Sequence, residues 1–234
     1  MKSIKTLALV TGLLAVSGVS QAQFSSTWTA VSDYDFRGYS QSAKNPALQA
    51  SADYTVGETG FSFGAWASNV DFDNDEDAEL DFYLNYALKV NDTFSFLTGV
   101  TWYDYPLGND LSGYPEFYIG GSIGNFNIKQ WYSEDFYAGN ESAQYTELNY
   151  TQPIGEKFSL AFHAGYSWGD YWDDVGGGEL FDYALQANYT AGKFTIFAKF
   201  TGTDADEGQK ITDDVANNEP RVLVGVMTTF PWGK

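Results

Sequence analysis

The sequence runs to 234 residues, with 12 Lys and Arg against 31 Asp and Glu, no cysteine, 24 glycines and 18% aromatics. A net charge of −19 argues against a phosphate-binding surface and against an electrostatic anchor on anionic lipid, and the missing cysteine removes disulfides, thiolate metal sites and thiol catalysis. So many aromatics and glycines beside only 18% charged residues suit neither a disordered acidic chain nor a helical bundle, and point to β structure.

Lys2 and Lys5 precede an uncharged stretch from Thr6 to Val19, and Ser20-Gln21-Ala22 places small residues at the −3 and −1 positions of a cleavage site. This pattern predicts a Sec-type signal peptide over 1–22, cleaved after Ala22, followed by one domain over 23–234. No other segment has the ~18 apolar residues that a membrane helix needs. The mature chain is therefore expected outside the cytoplasm, either soluble or crossing a membrane as strands.

From residue 24 onward, period-two segments alternate with Gly, Asn, Asp and Pro clusters. Leu80, Phe82, Leu84, Tyr86, Leu88 and Val90 alternate with Glu79, Asp81, Tyr83, Asn85, Ala87 and Lys89. The same rhythm places Phe158, Leu160, Phe162, Ala164 and Tyr166 opposite Lys157, Ser159, Ala161, His163 and Gly165. A helix would spread these polar residues around its whole circumference, so the segments are strands. Twelve are predicted, at 24–36, 47–56, 61–71, 79–90, 93–103, 115–123, 126–135, 144–152, 157–168, 180–190, 193–203 and 221–230. The alternation slips around Tyr145, which makes 144–152 the least regular. Five tight turns alternate with six longer polar connections, as in an up-and-down order with both termini on the short-turn side. The longest connection, 204–220, has the length to fold inward.

A short repeat accompanies the turns. Phe61-Ser62-Phe63, Phe94-Ser95-Phe96, Phe126-Asn127-Ile128, Phe158-Ser159-Leu160 and Phe194-Thr195-Ile196 follow them; Asp53-Tyr54-Thr55, Asn85-Tyr86-Ala87, Asn149-Tyr150-Thr151 and Asn188-Tyr189-Thr190 precede them. Phe and Tyr thus stand at one level in the apolar phase, as in the aromatic girdle of a membrane barrel. Segments of 10–12 residues match a tilted spanning strand of ~9–11. Gly64, Gly99, Gly120, Gly165 and Gly225 share the polar phase, where small residues suit a crowded barrel interior. The expected fold is all-β: a transmembrane antiparallel up-and-down barrel of about twelve strands.

The run Ser32-Asp33-Tyr34-Asp35-Phe36-Arg37-Gly38-Tyr39-Ser40-Gln41-Ser42 resembles the opening of the TorF-type porins, a Gram-negative family of unknown function. Pro46-Ala47-Leu48-Gln49, Asp53-Tyr54 and Gly64-Ala65-Trp66-Ala67-Ser68-Asn69-Val70-Asp71 extend the resemblance. It is specific mainly between residues 32 and 86, and it implies an exported outer-membrane barrel, a small porin, with no substrate or catalytic residue to carry over. One departure is from outer-membrane proteins generally, whose last strand usually ends on an aromatic residue: here Phe230 is followed by Pro231-Trp232-Gly233-Lys234.

His163 is the only histidine and falls on the polar face, so neither a multi-histidine metal site nor a lipid-facing nucleophile–histidine pair can be assembled. No enzyme activity and no cofactor are expected. Asp71-x-Asp73-x-Asp75 has the spacing of a calcium loop, but Glu76 stands at the required glycine and Phe82 at the bidentate glutamate, which favours a solvated loop. A second acidic loop holds Asp204, Asp206, Glu207, Asp213 and Asp214; loose divalent bridging to lipopolysaccharide is open at either. The polar phase carries Asp33, Asp35, Asp53, Glu79, Asp81, Glu116, Glu147 and Asp182 against Arg37, Lys89, Lys129, Lys157, Lys199 and Arg221. Most acids lie towards the long loops, which predicts a negative mouth, a modest preference for cations, and opposed charges deeper down that suit zwitterions. Trp66, Tyr83, Tyr103, Tyr118 and Trp131 fall in or near the same phase, either filling the barrel or stacking on solutes.

The function expected is a passive outer-membrane porin for small neutral, zwitterionic or cationic solutes, lined by these residues and His163. Its partners are outer-membrane lipid and lipopolysaccharide, the outer-membrane assembly machinery and small solutes, not nucleic acid. Two alternatives stay open: a non-conducting scaffold or surface barrel plugged by its loops, and a soluble periplasmic β-protein that binds a ligand inside.

Overall fold

The computed structural model describes residues 24–107, 113–174, 177–205 and 214–232. The expected signal peptide over 1–22 lies outside them, as do Asp206, Glu207 and Asp213. Among the described residues fourteen strands appear: β1 (Phe24–Val31), β2 (Asp35–Phe36), β3 (Tyr39–Ser40), β4 (Ala47–Thr55), β5 (Phe61–Asn69), β6 (Ala78–Lys89), β7 (Phe94–Asp104), β8 (Tyr114–Ile123), β9 (Phe126–Ser133), β10 (Ala143–Ile154), β11 (Phe158–Trp168), β12 (Leu180–Ala191), β13 (Phe194–Thr203) and β14 (Arg221–Phe230). Twelve of them close one antiparallel barrel, while β2 and β3 pair only with each other. Closure is made by β1 on β14, with Trp28 opposite Thr228 and Ala30 opposite Val226, so the sheet has no free edge.

The barrel is inverted relative to a soluble one. Leu48, Phe63, Phe82, Leu84, Phe117, Ile128, Leu148, Phe162, Leu185, Ile196 and Val224 are exposed outside, while Glu79, Glu116, Lys129, Glu147 and Asp182 are buried inside. Such an exterior suits hydrocarbon rather than water, and closed strand pairing satisfies the backbone there. No helix among the described residues is long and apolar enough to cross a membrane.

The repeated aromatics meet on neighbouring strands at the turn end of the barrel. Phe61 is registered on Tyr86, Phe126 on Tyr150 and Phe158 on Tyr189, with ring centroids 4.7, 4.5 and 4.8 Å apart. Tyr54 and Phe63 add a fourth pair at 5.4 Å. Each such contact contributes about 0.5–1.5 kcal/mol beyond its area, so the girdle also sets the register of the hairpins. Past the end of β14, Trp232 stacks on Phe230 at 4.7 Å and meets Phe194 edge-on, carrying the girdle around the seam.

Two sequence expectations need correction. The first strand ends at Val31 rather than at 36: the chain then turns into the barrel and forms the β2–β3 hairpin. The long connections are also not simply polar. Phe136 and Tyr137 in a 3₁₀ turn, Tyr171 and Trp172 in the short helix α1 (Asp170–Asp174), and Tyr105 pack with Tyr103 and Tyr114 into an aromatic cluster at the loop end. Burial of these rings away from water outweighs the polar composition of the loops around them.

Candidate functional site

The lumen divides into two halves. Towards the turn end, wall residues such as Ser51, Asp53, Asn85, Asn149 and Gln186 are half-exposed, whereas most of the buried charged side chains lie nearer the loop end. The difference is the β2–β3 hairpin, which occupies the loop half.

Local geometry makes this hairpin tight. Arg37 and Gly38 turn it with positive φ of 49° and 86°, and a Cβ on Gly38 would collide with the Thr203 side chain, so only glycine fits that approach. At its base Ser40 and Ser42 donate to Asp33 Oδ1 at 2.5 and 3.1 Å, and the Tyr34 amide donates to Ser42 Oγ at 2.9 Å.

Charges clamp the hairpin to opposite walls. Arg221 on β14 donates through Nε to Asp33 Oδ2 at 2.6 Å, through Nη2 to Asp35 Oδ1 at 2.7 Å and through Nη1 to the Gly38 carbonyl at 2.7 Å. Lys199 on β13 donates to Asp35 Oδ2 at 2.6 Å. Across the lumen, Arg37 donates to Glu116 Oε2 on β8 at 2.7 Å, with its guanidinium 4.0 Å from the Tyr145 ring centre. Phe36 lies against Tyr103, and Tyr34 lies 5.3 Å from Trp66, so the hairpin bridges the aromatic cluster to a second apolar group around Val31, Val70 and Leu223.

Burial alone would push the Asp35 carboxyl up, but Lys199 and Arg221 more than offset it and hold it below the ordinary aspartate range. A carboxyl lowered by its docked state stabilises that state fully above its free value of about 3.9 and loses the contribution as pH falls through the lowered one. Amide exchange at Ser40 and Gln41, corrected for intrinsic rate, should therefore stay protected down to about pH 4 and rise only in stronger acid. Loss of protection already at pH 6 would contradict this clamp.

Nearer the turn end, Lys129 lies 4.7 Å from the Tyr118 ring and 5.0 Å from Trp131, and 3.7 Å from Glu147. His163 Nε2 stands 2.8 Å from Asp182 Oδ1 and Nδ1 stands 2.7 Å from Asn149 Oδ1, with the Tyr145 hydroxyl 2.9 Å from Nε2. Tyr145 is thus a lumen residue in regular phase with Glu147; the apparent slip arises because its ring fills the space over Gly165.

The wall from β4 to β6 differs. Asp53 accepts from Ser51 at 2.7 Å and from the Tyr83 hydroxyl, and Glu79 lies beside Asp81 and Tyr34. Among the described residues none of these three carboxyls has an ion-pair partner. Lys89 sits on the turn-end rim, paired with Asp92 at 2.8 Å rather than with the lumen acids.

The sequence-derived residues therefore fall into three groups. Lys199 and Arg221 stand on β13 and β14, Glu116 faces them from β8, and Lys129, Glu147, His163 and Asp182 line the wall between; Asp53, Trp66, Glu79, Asp81 and Tyr83 line the wall from β4 to β6; Asp33, Asp35 and Arg37 belong to the hairpin. An open negative mouth is therefore corrected at Asp33 and Asp35, whose charges are matched by Arg221 and Lys199. What the sequence reading missed is Gly38, whose place after Arg37 marked a turn, and the aromatic cluster. The connection 204–220 contributes Val215, Asn217 and Asn218 as buried residues at the loop end, with the Asn217 carbonyl accepting the Ser40 amide; its centre lies outside the described residues.

Glycines in the polar phase serve lumen rings. A Cβ on Gly99 would fall 2.5 Å from Tyr118 and 2.7 Å from the Leu84 carbonyl, and one on Gly64 2.8 Å from Tyr83 and 2.6 Å from the Ala52 carbonyl. Gly99→Ala should accordingly destabilise the folded barrel by about 1–3 kcal/mol, read as a shift in urea-unfolding midpoint in detergent micelles. An unchanged midpoint would contradict this packing.

A closed, inverted barrel of twelve antiparallel strands with a charged interior is a transmembrane-type β-barrel. The chain belongs to the Gcw_chp family, described as a bacterial protein of unknown function, which matches residues 15–230. The TorF-type designation has no counterpart in that match. No curated protein matches the sequence. Among solved structures, a KdgM porin in complex with disordered oligogalacturonate is similar with a TM-score of 0.59 at 10% identity, over 88% of this chain and 99% of that one. A NanC porin is similar with a TM-score of 0.56 at 12% identity, over 88% and 98%. At these identities the likeness is one of fold.

Proposed function

We propose that this protein is a non-enzymatic outer-membrane channel of porin type that passes small neutral, zwitterionic or cationic solutes by passive diffusion. The observation that carries the reading is the inversion of the barrel, with an apolar exterior on strand after strand around a charged interior that stays half-exposed towards the turn end. The N-terminal pattern supports export with cleavage after Ala22, and the girdle supports insertion among outer-membrane lipid and lipopolysaccharide by the assembly machinery.

Charge favours cations over anions. Each hairpin acid and three of the six wall acids have a basic partner among the described residues, and the surplus is negative: Asp53, and the adjoining pair of Glu79 and Asp81, whose two carboxyls share a proton and add one charge rather than two. A surplus of that sign raises the local concentration of cations and lowers that of anions. The polyanion carried by the similar KdgM structure would be repelled by such a wall.

The aromatic cluster and the hairpin favour a second reading, a barrel closed at its loop end that serves as a scaffold. Swelling of liposomes containing the refolded mature protein separates the two. Rapid swelling in small neutral and cationic solutes, with slow swelling in anionic solutes of equal size, is expected. No swelling with any solute, from protein shown to be folded by heat-modifiable migration, would leave the scaffold.

A further inference from the structure

Resting on the channel reading, we infer that the β2–β3 hairpin is a displaceable plug, latched shut by Arg221 and Lys199 on one wall and by Glu116 on the other. The argument begins with what holds it. Among the described residues its backbone is paired outside the hairpin at Ser32 with Val224, Ser40 with Asn217 and Asp71 with Gln41, and none of these joins β2 or β3 to the barrel sheet. The remaining hold is made by side chains: two carboxylates on Arg221 and Lys199, with Thr201 also donating to Asp35, Arg221 on the Gly38 carbonyl, one guanidinium on Glu116, Tyr39 on Asn218, and the rings of Tyr34 and Phe36. A segment held in this way can leave without breaking the barrel's own ladder.

The latch is also asymmetric. Asp33 and Asp35 are nearly buried, and among the described residues the cations of β13 and β14 alone compensate them. With those cations removed, two carboxylates would stand uncompensated inside the barrel, and their stable place would become water. Moving the hairpin out vacates the loop half of the lumen and joins it to the half-exposed turn end. The aromatic residues around Phe136 and Trp172 lose Phe36 and Tyr39 as partners but keep their own contacts.

The test uses the absence of cysteine in the natural chain. Ser40 is fully buried, so Ser40→Cys in the full-length refolded barrel should resist a membrane-impermeant maleimide. Adding Lys199→Gln and Arg221→Gln should raise the labelling rate tenfold or more, with heat-modifiable migration showing that the barrel is still folded. In planar bilayers the same pair of substitutions, without the cysteine, should give larger or longer-lived steps than the parent. Unchanged labelling, or raised labelling with parental steps, would overturn the plug. Raised labelling with no steps from either protein would support the latch and refute the channel reading.

Discussion

Replacing Arg37 with alanine is expected to weaken hairpin docking by about 3–5 kcal/mol, the range for breaking a buried ion pair from one side. Both members are buried, with side-chain exposures of 9% for Arg37 and 1% for Glu116, so solvent screens them little. The change leaves the Glu116 carboxylate among Tyr103, Tyr114 and Asp81 without its cation, and removes the guanidinium from the face of Tyr145. Amide exchange in 33–42 should rise steeply, while exchange in β10 to β12 stays near parental. Pairing the change with Glu116→Gln should recover part of the loss, because no bare carboxylate remains. Equal acceleration across hairpin and barrel would mean that Arg37 supports the whole fold rather than the docking of one segment.

Neutralising the β4–β6 wall is expected to remove most of the cation preference. One charge acts on an ion at 4 Å with about 1 kcal/mol in water, worth roughly a fivefold change in local concentration, and more where the dielectric is lower. Asp53→Asn should therefore lower the cation-to-anion permeability ratio several-fold by itself, being the half-exposed member. Glu79→Gln with Asp81→Asn should lower it further. Asp33→Asn and Asp35→Asn should act differently: each leaves Arg221 or Lys199 short of a partner, so hairpin docking, which the β4–β6 changes leave intact, weakens along with the change in lumen charge. Reversal-potential measurements on the separate variants distinguish the walls. Selectivity that tracks Asp33 and Asp35 alone would contradict the pairing.

The barrel was legible in the sequence because its two determinants are local. Period-two alternation assigns each side chain to lipid or lumen, and the Phe and Tyr beside each turn fix the register, as Phe61 on Tyr86 and Phe158 on Tyr189 illustrate. The hairpin was not legible for the opposite reason. Asp33, Asp35 and Arg37 prolong the alternation of β1 as a longer strand would, while the partner that draws them inward, Arg221, stands 188 residues from Asp33. Tyr145 misled in the same way, since its aromatic character reads as lipid-facing until Gly165 supplies a place for the ring inside. Tyr105, Phe136, Tyr171 and Trp172 were overlooked because loop residues show no periodicity, and only the closed barrel brings their three loops over one opening. The lumen charges were legible as a set, but not their pairing, which is long-range except for neighbouring-strand contacts such as Lys129 with Glu147.

The most direct test of the channel is the single-channel conductance and reversal potential of the refolded mature protein in a planar bilayer under a KCl gradient. Discrete steps with a cation-selective reversal potential are predicted. Folded, inserted protein that gives no steps, or steps selective for anions, would contradict the account.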